Sequence, residues 1–228
     1  MIISNRPIPI IPEVFIGTEK LNQVQSFKYL GVHIDSTLKF QSHIDATKSK
    51  LSRACGASYR LRGHLTLSSA RKLYYSGFYA TVQYCIGVYG GLLLCTQRGQ
   101  KLIALQNRIM KNLFYRYYPN SNNLYKGTKI LKLSDVYRLR AAIYMYRCLV
   151  LDECPAVHGN LVLMLPDHSY ETRNANTLIP PFPRVESIRI NFQHQFINVW
   201  NEIPPQIKEK PSLKTFKRSF IGYVVDSY

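Results

Sequence analysis

From Phe40 the side chains Phe40, Ile44, Thr47, Leu51, Ala54, Ser58, Leu61 and Leu65 follow one another at alternating steps of four and three. Such steps keep every member on one side of an α-helix and exclude a strand, whose faces alternate at every second residue. A stripe this long has to be buried against other helices, so the fold class is mainly α. The spacing predicts three more long helices. One starts after a cap at Ser68 and stops at Gly90-Gly91, with Leu73, Gly77, Phe78, Thr81, Cys85 and Val88 along one side. The next covers residues 97–115, with Leu102, Leu105, Ile109 and Leu113 inward. The fourth starts at Ser134 and carries Val136, Leu139, Ile143, Tyr146 and Val150.

The flanks are different. Pro7, Pro9 and Pro12 forbid a helix or a central strand. Two β-type runs follow, 14–16 and 27–34, with Gly17 in the turn between them. Gly31, in the middle of the second run, marks a bulge or a close backbone approach. Beyond residue 151, Pro155, Pro166, Pro180, Pro181 and Pro183 interrupt any long element. Two short amphipathic helices are expected there, one near 191–201 with Phe192, Phe196, Val199 and Trp200. The other follows a cap at Ser212 and carries Leu213, Phe216 and Phe220. The expected architecture is α+β with helix dominant: a short N-terminal hairpin region (1–38), a basic bundle of three to four helices (39–151) and an irregular extension with short helices (152–228).

Charge follows the same division. Residues 1–38 and 152–228 are each neutral, whereas 39–147 hold 19 Lys or Arg against Asp45 and Asp135, which is the whole net +17. Like charges crowded into a compact state repel each other. The natural counterpart is a polyanion, because each phosphate contact releases condensed counterions. The bland alternative is a solvated basic face kept for solubility. Lys48, Lys50, Arg53, Arg60 and Arg62 lie on the outer sides of the first helix, and Lys101, Arg108 and Lys111 fall together on the third. The 17 tyrosines suit half-wet surfaces and nucleic-acid stacking as well as ordinary packing.

Cys55, Cys85, Cys95, Cys148 and Cys154 are odd in number and lack zinc-like spacing. They read as free thiols of a reducing compartment. No apolar run approaches a membrane span, and the N-terminus lacks signal-peptide order. Cytoplasm or nucleus is the expected location, with no membrane partner.

The segment S-F-K-Y-L-G-V-H-I-D-S-T-L-K-F-Q-S-H-I, residues 26–44, resembles a passage in the reverse transcriptases of non-LTR (LINE-type) retrotransposons, where the palm closes and the thumb opens. Tyr29, Leu30, Gly31, Val32, Ile34, Asp35, Leu38, Phe40, His43 and Ile44 stand in the family's order. Ile2-Ile3-Ser4-Asn5-Arg6 looks like the last palm strand. Tyr84-x-x-Gly87-x-x-x-Gly90 and Leu105-Gln106-Asn107-Arg108 resemble the second and third thumb helices. His168-x-Tyr170-x-Thr172-Arg173, Val199-Trp200-Asn201-x-Ile203-Pro204 and Ser212-x-x-x-Phe216-Lys217 recur in such elements too. Each string is modest alone, and the ordered set spans nearly the whole chain.

The resemblance implies a remnant palm edge, a thumb-like bundle and a C-terminal extension of an RNA-directed DNA polymerase. It makes Phe27, Tyr29, Leu30 and Gly31 a primer-grip-like turn, whose work is positioning. It makes Lys48, Arg53, Arg60, Arg62, Lys101, Arg108 and Lys111 contacts to an RNA–DNA duplex, held without sequence specificity. The implied partners are RNA, DNA and the fingers and palm of the parent enzyme, with Mg²⁺ expected in that parent. Two-metal phosphoryl transfer needs converging carboxylates, and this chain has no Asp-Asp pair: its aspartates are scattered at 35, 45, 135, 152, 167 and 226. No catalytic residue, cofactor or metal is therefore assigned here, and the chain is expected to be inactive alone. Asp152-Glu153 reads as a cap or turn, His43 as a capping or boundary residue and Trp200 as a core anchor. His168 and Arg173 bind phosphate or anchor a loop. A domesticated interaction module, a decayed fragment and, more remotely, a nuclease built on His168 and Arg173 are the alternatives.

Overall fold

Asp35 sets where the helical part of the chain begins. The computed structural model describes residues 1–4, 13–119, 124–153, 177–180 and 192–228. In it the Asp35 carboxylate accepts the backbone N–H of Lys39 at 2.8 Å and of Gln41 at 3.0 Å, and the Thr37 hydroxyl at 3.1 Å. These bonds hold a turn in which Leu38 and Phe40 take positive φ, 54° and 50°, a conformation costly for a residue with a Cβ. One carboxylate thus satisfies an orphan N–H of helix α1 (Gln41–Leu61) and places negative charge at its N-terminus.

Ahead of α1 lie two antiparallel hairpins. Strand β1 (Phe15–Ile16) pairs with β2 (Glu19–Lys20), and β3 (Ser26–Tyr29) with β4 (Val32–Asp35). Gly31 is not inside a strand, as its place in the 27–34 run implied. Leu30 and Gly31 both have positive φ, 45° and 85°, and form the two-residue turn of the second hairpin.

In α1 the stripe is buried at Ile44, Thr47, Leu51 and Ser58, but Cys55 takes the place expected of Ala54. The reason is geometric. A straight helix repeats every 3.6 residues and drifts off a 3.5-residue stripe. The helix also ends at Leu61, which is exposed, so Leu65 lies beyond it.

The second predicted helix is broken. It comprises α2 (Leu67–Leu73), a π-helical turn (Tyr74–Tyr79), α3 (Ala80–Gln83) and, after a break at Tyr84-Cys85, α4 (Ile86–Cys95). Its cap is Thr66, whose hydroxyl accepts the Ser69 N–H at 3.2 Å, rather than Ser68. The buried side chains Ala70, Tyr74, Phe78, Val82 and Ile86 step by four. Each such step overshoots an α-helical turn by about 0.4 residue, and the π turn absorbs the excess. Of the expected stripe Phe78 is buried, whereas Leu73, Gly77, Thr81 and Cys85 are half-buried, one position from the buried row, and Val88 is exposed. Gly90-Gly91 does not stop the helix. A Cβ on Gly90 would lie 2.3 Å from Cδ2 of Tyr137, so glycine is there to let two helices approach.

The remaining elements are α5 (Gln97–Phe114), capped by Thr96, α6 (Leu124–Thr128), α7 (Leu133–Leu149), α8 (Phe192–Asn201), α9 (Pro205–Lys208) and α10 (Leu213–Asp226). α7 begins one residue before the predicted Ser134, and Val150 at its end is exposed. The Ser212 cap of α10 stands as predicted, with Thr215 completing a reciprocal capping box. In order of packing, α1 lies on α5, α5 on α4, α4 on α7, and α7 on α8 and α10. The molecule is mainly helical with a short hairpin region. It has more and shorter helices than a plain bundle of three or four. No helix among the described residues is long and apolar enough to cross a membrane.

Candidate nucleic-acid interface

The basic helices α1 and α5 lie side by side and run in the same direction. Near their starts the Asp45 carboxylate pairs with Arg98 at 3.4 Å. Further along, Asn112 donates to the Ser58 hydroxyl at 3.0 Å. Past their ends Arg116 donates to the Gly63 carbonyl at 2.5 Å, and the Tyr117 hydroxyl donates to the Leu65 carbonyl. The bonded residues are separated by 53 and 54 positions at Arg116 and Asn112, a constant offset that only parallel helices give.

The expected contacts distribute along this pair. Arg53 and Arg60 are exposed on α1 and Lys48 is half-buried there, while Lys101, Arg108 and Lys111 are exposed on α5. Arg62 is not on the helical face, as the spacing had placed it. It caps the C-terminus of α1, with its guanidinium 4.0 Å from the Tyr59 ring centre. Among the described residues no ion pair involves any of these seven. Several basic groups elsewhere in the middle of the chain are engaged within the molecule. Arg71 donates to the Thr128 carbonyl at 3.1 Å, and Lys126 to the Asp226 carbonyl at 3.3 Å. Lys132 sits over the Tyr228 ring at 4.1 Å. Arg138 binds Glu202 at 2.7 Å and Asp135 at 3.4 Å, Arg140 donates to Gln83 at 2.6 Å, and Arg147 faces Glu153 at 3.8 Å. The pair α1 and α5 therefore carries a row of cations with no ion-pair partner among the described residues.

Beneath that face, burial pushes the Cys55 thiol up, against the opposing pull of the Arg108 guanidinium. His43 is buried, not a boundary residue. Its ring meets Tyr89 edge-on at 4.7 Å and its Nδ1 has no partner. Burial, then the charges of His33 and Lys50, hold it below the ordinary histidine range.

The turn at Leu30-Gly31, expected to be primer-grip-like, stands clear of the core. Phe27, Tyr29 and Leu30 are exposed, Leu30 by 73%. Behind the turn, the Tyr84 hydroxyl donates to the Leu30 carbonyl and its ring lies against Gly31. This joins the hairpin to the break before α4. Of the remaining singled-out residues, Trp200 is buried, 6.1 Å from the Phe216 ring. At the end of α5, Phe114 is fully buried, Tyr117 and Tyr118 are half-buried, and Tyr115 and Arg116 are exposed. His168 and Arg173 lie outside the described residues.

Among the described residues, three aspartates are engaged otherwise than in a Mg²⁺ site such as the resemblance implies for a parent enzyme. Asp35 is committed to backbone N–H groups and Asp45 to Arg98. Asp135 accepts the Tyr228 hydroxyl at 2.6 Å. Among the described residues no three His, Cys, Asp or Glu side chains gather as a metal would need. Sequence reasoning missed Arg98 and Tyr59. Arg98 is four residues from the start of the apolar stripe of α5, and Tyr59 lies four beyond Cys55, so helical spacing from the buried seam could have placed both at its rim. No family model matches the chain, and no curated protein or solved structure matches it.

Proposed function

We propose that the chain grips a nucleic-acid duplex, RNA–DNA in the first instance, through its backbone and without sequence specificity. In this reading α1 and α5 serve as the thumb of a non-LTR-type reverse transcriptase, and the hairpin tip at Phe27–Gly31 steadies a primer end. The chain is not catalytic by itself. The carrying observation is that Lys48, Arg53, Arg60, Lys101, Arg108 and Lys111 sit on two parallel helices without ion-pair partners among the described residues, while basic groups on α6 and α7 are engaged. Helices laid along a duplex meet phosphates and groove shape rather than base edges, which suits an A-like RNA–DNA hybrid.

Salt dependence tests it. If about five of these groups bind phosphate together, log K against log[salt] falls with a slope near −4 to −5. Arg108→Glu weakens binding to all sequences alike and flattens that slope by about one. Primer extension with Mg²⁺ or Mn²⁺ on an RNA template stays at background, since no aspartate pair is present. A second reading, a transposon-derived interaction module, draws on the exposed apolar side chains of the two hairpins: Phe15, Ile16, Phe27, Tyr29 and Leu30. Binding indifferent to salt, or no binding, favours it.

A further inference from the structure

We infer that the shared C-terminal end of the α1–α5 pair is a stacking platform for a single strand of RNA or DNA, built on Tyr59 and Tyr115; this rests on the reading of α1 and α5 as a nucleic-acid grip.

Because the two helices are parallel, their C-termini arrive together. Asn112 reaches Ser58, Arg116 reaches the Gly63 carbonyl and Tyr117 the Leu65 carbonyl. Tyr59 lies one turn beyond Cys55, on the part of α1 that feels the Arg108 charge. Tyr115 lies two turns beyond Arg108 on α5 and so continues its row. In a molecule that fully buries Tyr74, Tyr89, Tyr137 and Tyr146, these two rings stay 52% and 54% exposed. The ring of Tyr59 is held by Arg62, whose guanidinium covers one face at 4.0 Å. Arg60 and Lys111 are exposed on the last turns of the same two helices. Rigid aromatic faces set among cations are what a single strand uses: bases stack on the rings and phosphates meet the charges. A duplex offers its bases no such contact, since its own stack is closed. The paired helices would therefore hold duplex along their length and take unpaired nucleotides at this end.

The test uses the whole chain and two fluorescent probes, a blunt RNA–DNA duplex and the same duplex with a single-stranded overhang, titrated at several salt concentrations. The wild-type protein is expected to prefer the overhang probe. Y59A/Y115A is expected to bind the blunt duplex as the wild type does and to lose the overhang preference, by roughly tenfold per tyrosine. Its salt slope stays unchanged, because stacking releases no counterions. Y59F/Y115F keeps the preference, since the ring and not the hydroxyl carries it. Both residues are exposed, so the melting temperature of the variants serves as a check on folding. Overhang preference intact in Y59A/Y115A overturns the platform while leaving the duplex grip standing, as does equal loss on both probes. If the wild type binds neither probe in a salt-dependent way, the duplex grip fails and the platform with it.

Discussion

Gln106 is 1% exposed and uses both ends of its amide. Its Nε2 donates to the Tyr74 hydroxyl and the Leu131 carbonyl, both at 2.9 Å, and its Oε1 accepts the Leu133 N–H at 2.8 Å. One side chain thus ties α5 to the π turn and to the start of α7. Burial pushes the Tyr74 hydroxyl well above its ordinary range, so it stays neutral and able to accept. Gln106→Leu leaves three buried groups without this partner, and each unsatisfied group costs about 1–3 kcal/mol. A loss of at least about 3 kcal/mol in urea denaturation is expected; a loss under about 1 kcal/mol would mean that the three groups find other partners. None of this was legible in the sequence, where Gln106 stands in a polar string and its partners lie 25 to 32 residues away. His43 makes stability depend on pH. Its folded pKa is lowered, so below about pH 6.5 the unfolded chain binds more protons than the folded one. Stability therefore falls as pH drops below that value, until the folded form also protonates. Replacing His43 with Gln should flatten the pH dependence of the melting temperature in that window, whatever it does to the absolute value.

Helices α1, α5 and α10 are legible in the sequence, because each has a clear stripe and α5 and α10 open on hydroxyl caps. The segment from Leu67 to Cys95 is not. Its buried residues step by four through a π turn, so a search at 3.6 residues selects the neighbouring row. Its Gly90-Gly91 pair mimics a C-terminal stop, yet at Gly90 the Tyr137 ring leaves no room for a Cβ. The corner between α4 and α5 has the same character at Gly99, where a Cβ would lie 1.9 Å from the Leu93 carbonyl oxygen. A backbone carbonyl cannot swing aside as a side chain can. Gly99→Ala should therefore cost about 1–3 kcal/mol, although alanine favours a helix by about 1 kcal/mol over glycine. Gly222→Ala in α10 is the matched control, with nothing within 4 Å of its Cβ position. It should raise the melting temperature. If both variants move the same way in thermal melts, helix propensity and not close approach decides the α4–α5 corner.

Across the whole molecule, the packing order separates the basic α1–α5 pair from the C-terminal helices. The basic pair α1 and α5 lies at one side of the stack, while α8 and α10 lie on α7 at the other; α8 carries no charged side chain, and α10 carries Lys214, Lys217 and Arg218 against Asp226. Trp200 fastens that far side. It is buried between α8 and α10, 6.1 Å from the Phe216 ring, which stacks on Tyr146 of α7 at 4.4 Å; the Lys208 ammonium of α9 sits 5.3 Å from the indole. Three short helices and α7 thus meet around one side chain. Trp200→Ala is expected to cost about 3–5 kcal/mol and to make the C-terminal helices the first part to yield to limited proteolysis. Because α1 and α5 make no use of that contact, duplex binding and its salt slope should survive at temperatures where the variant is still folded. An unchanged melting temperature would mean that the C-terminal helices are only tethered to α7. Loss of binding by a folded Trp200→Ala protein would mean instead that the far side of the stack positions the basic pair, and that the interface extends beyond α1 and α5.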